Sequence, residues 1–243
     1  MLTFLIGGGW DRDRGKAAYS AFLAAARHSA RVACVMLDEG DGAEQFERFA
    51  RALRAAGPCE PEPVLVPLGG RLDVAALHGA DALLVCGGLT PAYARALVPV
   101  ADQLRRWLAE GDRAYAGFSA GAAVAAHRAV VGGWRQAGVQ VCPDDAGEDL
   151  DEVTVVAGLG LVPYAVEVHC AQWGTLPRLL AAVEANPDLV GIALDEDTLL
   201  TDDGTTVSVS GSGCARLVRS GPEGVLVRTL RAGQHAARPL ASG

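Results

Sequence analysis

The sequence predicts an α/β fold: a three-layer sandwich with a mostly parallel sheet, helices on both faces and a small antiparallel β meander at the C-terminus. Three observations predict it. Runs that are apolar throughout, such as "LTFLI", "RVACVML" and "DALLVC", recur between helical patterns, as strands buried on both faces do. Three of these runs end in glycine-rich turns: "GGG" 7–9, "GG" 87–88 and "GFSAG" 117–121. From Thr198 onward, short strand-like runs are separated by D-D-G and G-P turns, the pattern of hairpins.

Taken in order, "LTFLIGGG" reads as a buried strand, followed by the helix "RGKAAYSAFLAAARH" with His28 as its C-terminal cap. "RVACVML" is a second strand, and "AEQFERFARALRAAG" is an amphipathic helix stopped by Gly57 and Pro58. "EPVLVPL" and "DALLVCGG" are the next strands, and "TPAYARALVPVADQLRRWLAEG" reads as one helix. "RAYAGF" is the fifth strand, with a helix beginning at Ser119. The aperiodic, acid-rich stretch from Gly132 to Asp151 reads as a surface excursion near that point. Strands in "VTVVAGLGLVPYAVEVH", a helix in "TLPRLLAAVEAN" and the strand "LVGIALDE" precede the meander.

The chain has 243 residues, half of them hydrophobic, enough for one sizeable core, and no linker divides it. Residues 1–243 therefore read as a single α/β domain. A net charge of −8 with no basic stripe excludes nucleic acid as a partner. No apolar run approaches a membrane span, and the N-terminal one is too short for a signal peptide. Six singly scattered cysteines read as small buried hydrophobes of a cytoplasmic protein. A homodimer is left open.

The chemistry centres on "GFSAGA". A G-x-S-x-G segment between a strand and a helix is the pattern of a nucleophile elbow, although a serine at a helix start is also a common cap. His127 stands about 12 Å along the expected helix, too far to touch the Ser119 hydroxyl. His78 lies in a connector and His235 in a polar tail. His169, at the carboxyl end of "VPYAVEVH", is the candidate base. "LDED" offers Asp195, Glu196 and Asp197 as the acid; alternation sends Glu196 one way and both aspartates the other, and the residues leave the choice open. The Ala120 amide and the "CGG" loop with Gly88 are candidate oxyanion donors. The "GGG" at 7–9 lacks the spacing of a dinucleotide loop, and the acidic run 144–152 reads as solvated. No clustered ligand set implies a metal or a cofactor.

With "GFSAGA", the upstream "CGG", "GLGLVPYAVEVH" and "GIALDED" in this order, the chain resembles the peptidase E and cyanophycinase family of serine peptidases. The resemblance implies a class I glutamine amidotransferase-like, flavodoxin-like fold. It implies Ser119 as nucleophile, His169 as base and Glu196 as third member, with Gly88 and Ala120 at the oxyanion. It also implies small peptides as substrates, cleaved in dipeptidase or exopeptidase fashion. The chain departs from relatives at Leu89, where they carry a polar residue. It departs again at "VHCAQWGT", where cyanophycinases show Gln-His-Phe and arginines. Leu89 and Trp173 are thus the substrate-side candidates. At "VVGGWRQAG", with Trp134, it lacks the aspartate of aspartyl-dipeptidase relatives. The alternatives are a cyanophycinase-like or carboxypeptidase-like activity, an α/β-hydrolase-type esterase using His235, and a non-catalytic binding protein.

Overall fold

The computed structural model describes residues 1–10, 12–26 and 30–240; the cap expected at His28 lies outside them. In chain order come β1 (Thr3–Ile6), α1 (Arg12–Ala25), β2 (Ala30–Asp38), α2 (Gly42–Ala56), β3 (Cys59–Pro67), β4 (Ala82–Val85), α3 (Thr90–Leu97), α4 (Ala101–Glu110) and β5 (Ala114–Phe118). Strands β1, β5, β4, β2 and β3 lie side by side and parallel. Their alternating side chains feed two cores. Leu5, Leu83 and Val85 pack with residues of α3 and α4, whereas Phe4, Ile6 and Leu84 pack with α1 and α2. That division makes the three layers. The stretch 90–110 is two helices instead of one, because Pro99 supplies no N–H and a 3-10 turn at Val98–Val100 stands between them.

Past the elbow the helix is shorter than expected. α5 (Ala120–Val124) spans five residues. The carbonyls of Val124, Ala125 and Ala126 accept N–H groups from Leu159, Leu161 and Gly160, which draws the chain out of the helix. His127 consequently lies beyond α5, where its own N–H donates to the Val162 carbonyl. The excursion follows as β6 (Arg128–Gly132), β7 (Arg135–Gln136), β8 (Val139–Gln140) and β9 (Thr154–Ala157). β10 (Ala165–Glu167), α6 (Leu176–Ala185) and β11 (Val190–Leu194) complete the approach to the C-terminal strands.

Those strands are antiparallel, as expected, but they do not form one meander. β12 (Thr198–Asp202) and β13 (Thr206–Gly211) extend the large sheet beyond β1. β14 (Cys214–Gly221) and β15 (Gly224–Arg231) join β10 and β11 in a second sheet. Asp195, just past β11, accepts from the Cys214 N–H and from Arg216, which fastens the start of β14 beside β11. β16 (His235–Ala237) returns to the outer edge of the large sheet, so His235 sits on a strand. Among the described residues no helix is long and apolar enough to cross a membrane.

The register decides where chemistry can occur. Ile6 pairs with Phe118 and Val85 with Gly117, so the turns after β1, β4 and β5 leave the sheet at one edge. In parallel sheets that carboxyl edge is where ligands bind.

Candidate active site

Ser119 leaves β5 with φ 53° and ψ −113°, a left-handed conformation that non-glycine residues adopt only when their surroundings enforce it. Both flanking glycines are sterically required. A Cβ at Gly117 would stand 2.4 Å from the Gly121 carbonyl oxygen, and one at Gly121 would stand 2.1 Å from that of Val85. Although Ser119 occupies the cap position of α5, its hydroxyl caps nothing. It lies instead 2.7 Å from His169 Nε2. The hydroxyl is therefore no helix cap; it faces the imidazole.

His169 follows β10 by two residues, also with positive φ (55°), and its N–H donates to the Gly7 carbonyl. Its Nδ1 lies 2.7 Å from Glu196 Oε1. With Nδ1–H donating to that carboxylate, Nε2 is left to accept from the serine hydroxyl. Burial pushes the imidazole below its ordinary pKa; Glu196 pulls it up without cancelling that effect. β10 runs parallel to β11, which carries Glu196 to the same edge. Asp195 points elsewhere: it is buried, bonded to Arg216 through both oxygens and to the N–H groups of Ala171 and Cys214. The strand ends at Leu194, so Asp197 sits in a left-handed turn and not in strand register.

Ala120 follows the serine in the chain, and Gly88 lines the same cleft as the serine. A side chain on Gly87 would begin 3.2 Å from the Ser119 Cβ, so the 86–88 loop passes directly beside the hydroxyl-bearing carbon. Ala120 is the first residue of α5, where an N–H has no acceptor within the helix. Leu89 and Trp173 line the same cleft of about 500 Å³. Trp173 additionally stacks on the His169 ring, centroids 3.8 Å apart and planes at 7°. His235 on its edge strand is exposed, and the candidate base at Ser119 is His169. Among the described residues no cluster of side chains could hold a metal ion.

Three contributors escape a reading of local pattern. Gly8 (φ 102°) makes room for the imidazole: a Cβ there would meet His169 Cε1 at 2.0 Å. The "GGG" signal was visible, but its meaning is clearance for a side chain from another sheet. Gln172 accepts the Glu196 N–H through Oε1 at 2.9 Å. Glu148, from the acidic run read as solvated, accepts the Thr90 N–H at 2.9 Å, and burial raises its pKa. The excursion is held there by Arg178, which pairs with Glu167 in the interior and donates to the Ala146 carbonyl.

No protein-family model matches the chain. A cyanophycinase of Trichormus variabilis is 34% identical over 167 residues, covering 68% of this chain and 49% of that protein. A cyanophycinase of Synechococcus elongatus is 30% identical over 229 residues, covering 89% of this chain and 67% of that one. The chain thus spans half to two thirds of the length of these relatives. Among solved structures, a peptidase from an acI-B1 Actinobacterium superimposes with a TM-score of 0.66 at 17% identity, covering 97% of this chain and 96% of its own. A putative peptidase E protein from Listeria monocytogenes gives 0.57 at 15%, covering 86% and 98%. These two likenesses establish the fold. Together with an identity of 30% spread over two thirds of a cyanophycinase, they lead to one assignment: the chain belongs to the peptidase E and cyanophycinase family.

Proposed function

We propose that the chain is a single-domain serine peptidase that hydrolyses small peptides by acyl transfer to water. The observation that carries this reading is the unbroken relay of two 2.7 Å hydrogen bonds from Ser119 through His169 to Glu196, at the floor of a cleft. As Oγ attacks a peptide carbonyl, Nε2 takes its proton. The N–H groups of Ala120 and the Gly88 loop receive the oxyanion. The imidazolium, steadied by Glu196, protonates the departing amine, and water then repeats the sequence on the acyl-enzyme. Six free cysteines, four of them buried, suit a reducing cytoplasm. The test is hydrolysis of a dipeptide and short-peptide library, with Ser119→Ala as the control.

The relatives' name favours a second reading, cyanophycin as substrate. Against it stands Trp173 over the imidazole, in a segment where cyanophycinases are expected to carry arginines. Cyanophycin should be cleaved far more slowly than the best library peptide; efficient release of β-Asp-Arg would reverse the order of the two readings.

The lowered pKa of His169 sets the acid limb of activity. Only the neutral imidazole can take the serine proton, and burial keeps it neutral to lower pH than a free histidine. The acid limb of the kcat/KM profile should therefore have its midpoint below about pH 6.5. A midpoint above that value would contradict the burial argument.

Trp173 is expected to fix the plane of the imidazole it covers. Trp173→Ala should lower kcat roughly ten- to a hundredfold, since small misplacements of a reacting group have effects of that size. Trp173→Phe, which keeps a ring in the stack, should retain most of the rate.

A further inference from the structure

The Ser119 cleft is lined by charges of both signs. Glu39, Asp41, Asp145, Glu148 and Asp149 line it, and among the described residues the arginine lining it is Arg48. Consecutive residues of α2 divide the work: Phe49 is buried, and Arg48 is exposed toward the cleft. Phe49 and Phe118 each lie against Trp10, with ring centroids 4.7 and 4.8 Å away. The Arg48 guanidinium lies over Trp10, its carbon 3.7 Å from the ring centroid. Among the described residues no carboxylate pairs with it. Phe118 is the residue before Ser119, so this stack of cation and rings ends beside the nucleophile.

We propose that Arg48, held over Trp10, is the group that receives a carboxylate of the peptide substrate, in a short peptide its C-terminal carboxylate. The proposal rests on the peptidase reading above and names the end of the peptide the site engages. A guanidinium is planar and carries its N–H donors in that plane, so one held over a ring by cation–π attraction can still match a carboxylate two bonds at a time. The stack also removes freedom that a lone surface arginine would lose on binding. Among the described residues, the carboxylates lining the cleft repel an anion and Arg48 is the guanidinium that attracts one; the acids suit the ammonium of a zwitterionic peptide. A residue that only covered Trp10 would show none of this selectivity.

The test compares Xaa-Ala dipeptides with their C-terminal amides on wild type, Arg48→Lys and Arg48→Met, and Asp-containing with Asn-containing tripeptide amides on the same proteins. Wild type should favour the free acid roughly ten- to a hundredfold in kcat/KM, the size expected of hydrogen bonds between charged groups. Arg48→Met should lose that preference, through KM more than through kcat. Arg48→Lys should keep part of it. If only the Asp-over-Asn preference depends on Arg48, the carboxylate it receives comes from a side chain, and the C-terminal assignment is overturned. Equal cleavage of all pairs by wild type, or a preference that survives in Arg48→Met, overturns the proposal. If no peptide is cleaved, the peptidase reading fails by itself; calorimetric binding of the same acids and amides to wild type and Arg48→Met then judges Arg48 separately.

Discussion

Ser119→Ala is expected to fold as the wild type does and to lose at least about a thousandfold in peptide turnover. The fold should survive because the hydroxyl makes no structural bond: it caps no helix, and it lies against the imidazole. The strained backbone at position 119 is held by the neighbouring glycines and by the bond from the Ser119 N–H to the Ile6 carbonyl, neither of which the substitution touches. The loss of rate should be large because no second nucleophile can take over. Cys170, next to His169, is buried, and burial pushes its thiol far above the ordinary range. Unchanged peptide hydrolysis by Ser119→Ala would remove the serine from the mechanism.

Glu196→Gln should approach that severity, with a loss on the order of 10⁴ in kcat and a normal fold. An amide at this position can hydrogen-bond to Nδ1 in the wrong tautomer and cannot stabilise the imidazolium. It should also move the acid limb further down in pH, since Glu196 is the main influence raising the pKa of His169. The neighbouring acid behaves differently. Asp195→Asn should leave the chemistry of folded enzyme close to normal but destabilise the protein by about 2–3 kcal/mol, because buried Asp195, paired with half-buried Arg216, fastens β14 to β11. A thermal melt read alongside kcat separates the two variants. If Asp195→Asn lost its rate while keeping its stability, the two acids would have exchanged roles.

The contrast between these acids shows what a sequence can carry. Ser119 stood out because its requirement is local: two glycines and a serine must pass through one turn, and the apolar strand before it says which turn. His169 could be sorted from four other histidines because strand ends share an edge in a parallel sheet. The residues "DED" could not be sorted in that way, because the partner that claims Asp195 comes from β14, and that strand's place beside β11 is invisible to local pattern. The resemblance to the family pointed to Glu196. The same limit explains the meander. Hairpin turns were legible, but which sheet each hairpin joins depends on pairings between distant segments. Gly8 and Glu148 share this character, since one clears space for a side chain from β10's end and the other bonds the start of α3 from the excursion.

The central claim is that Ser119 is a nucleophile activated by His169, and covalent labelling tests it most directly. The full chain is treated with a fluorophosphonate, and the site and stoichiometry of the adduct are read by mass spectrometry of the intact chain and its peptides. The account predicts one adduct per chain, on Ser119, formed more slowly as pH falls below about 6.5 and not formed in Ser119→Ala or His169→Ala. No adduct, or one that persists on another residue in Ser119→Ala, would contradict it.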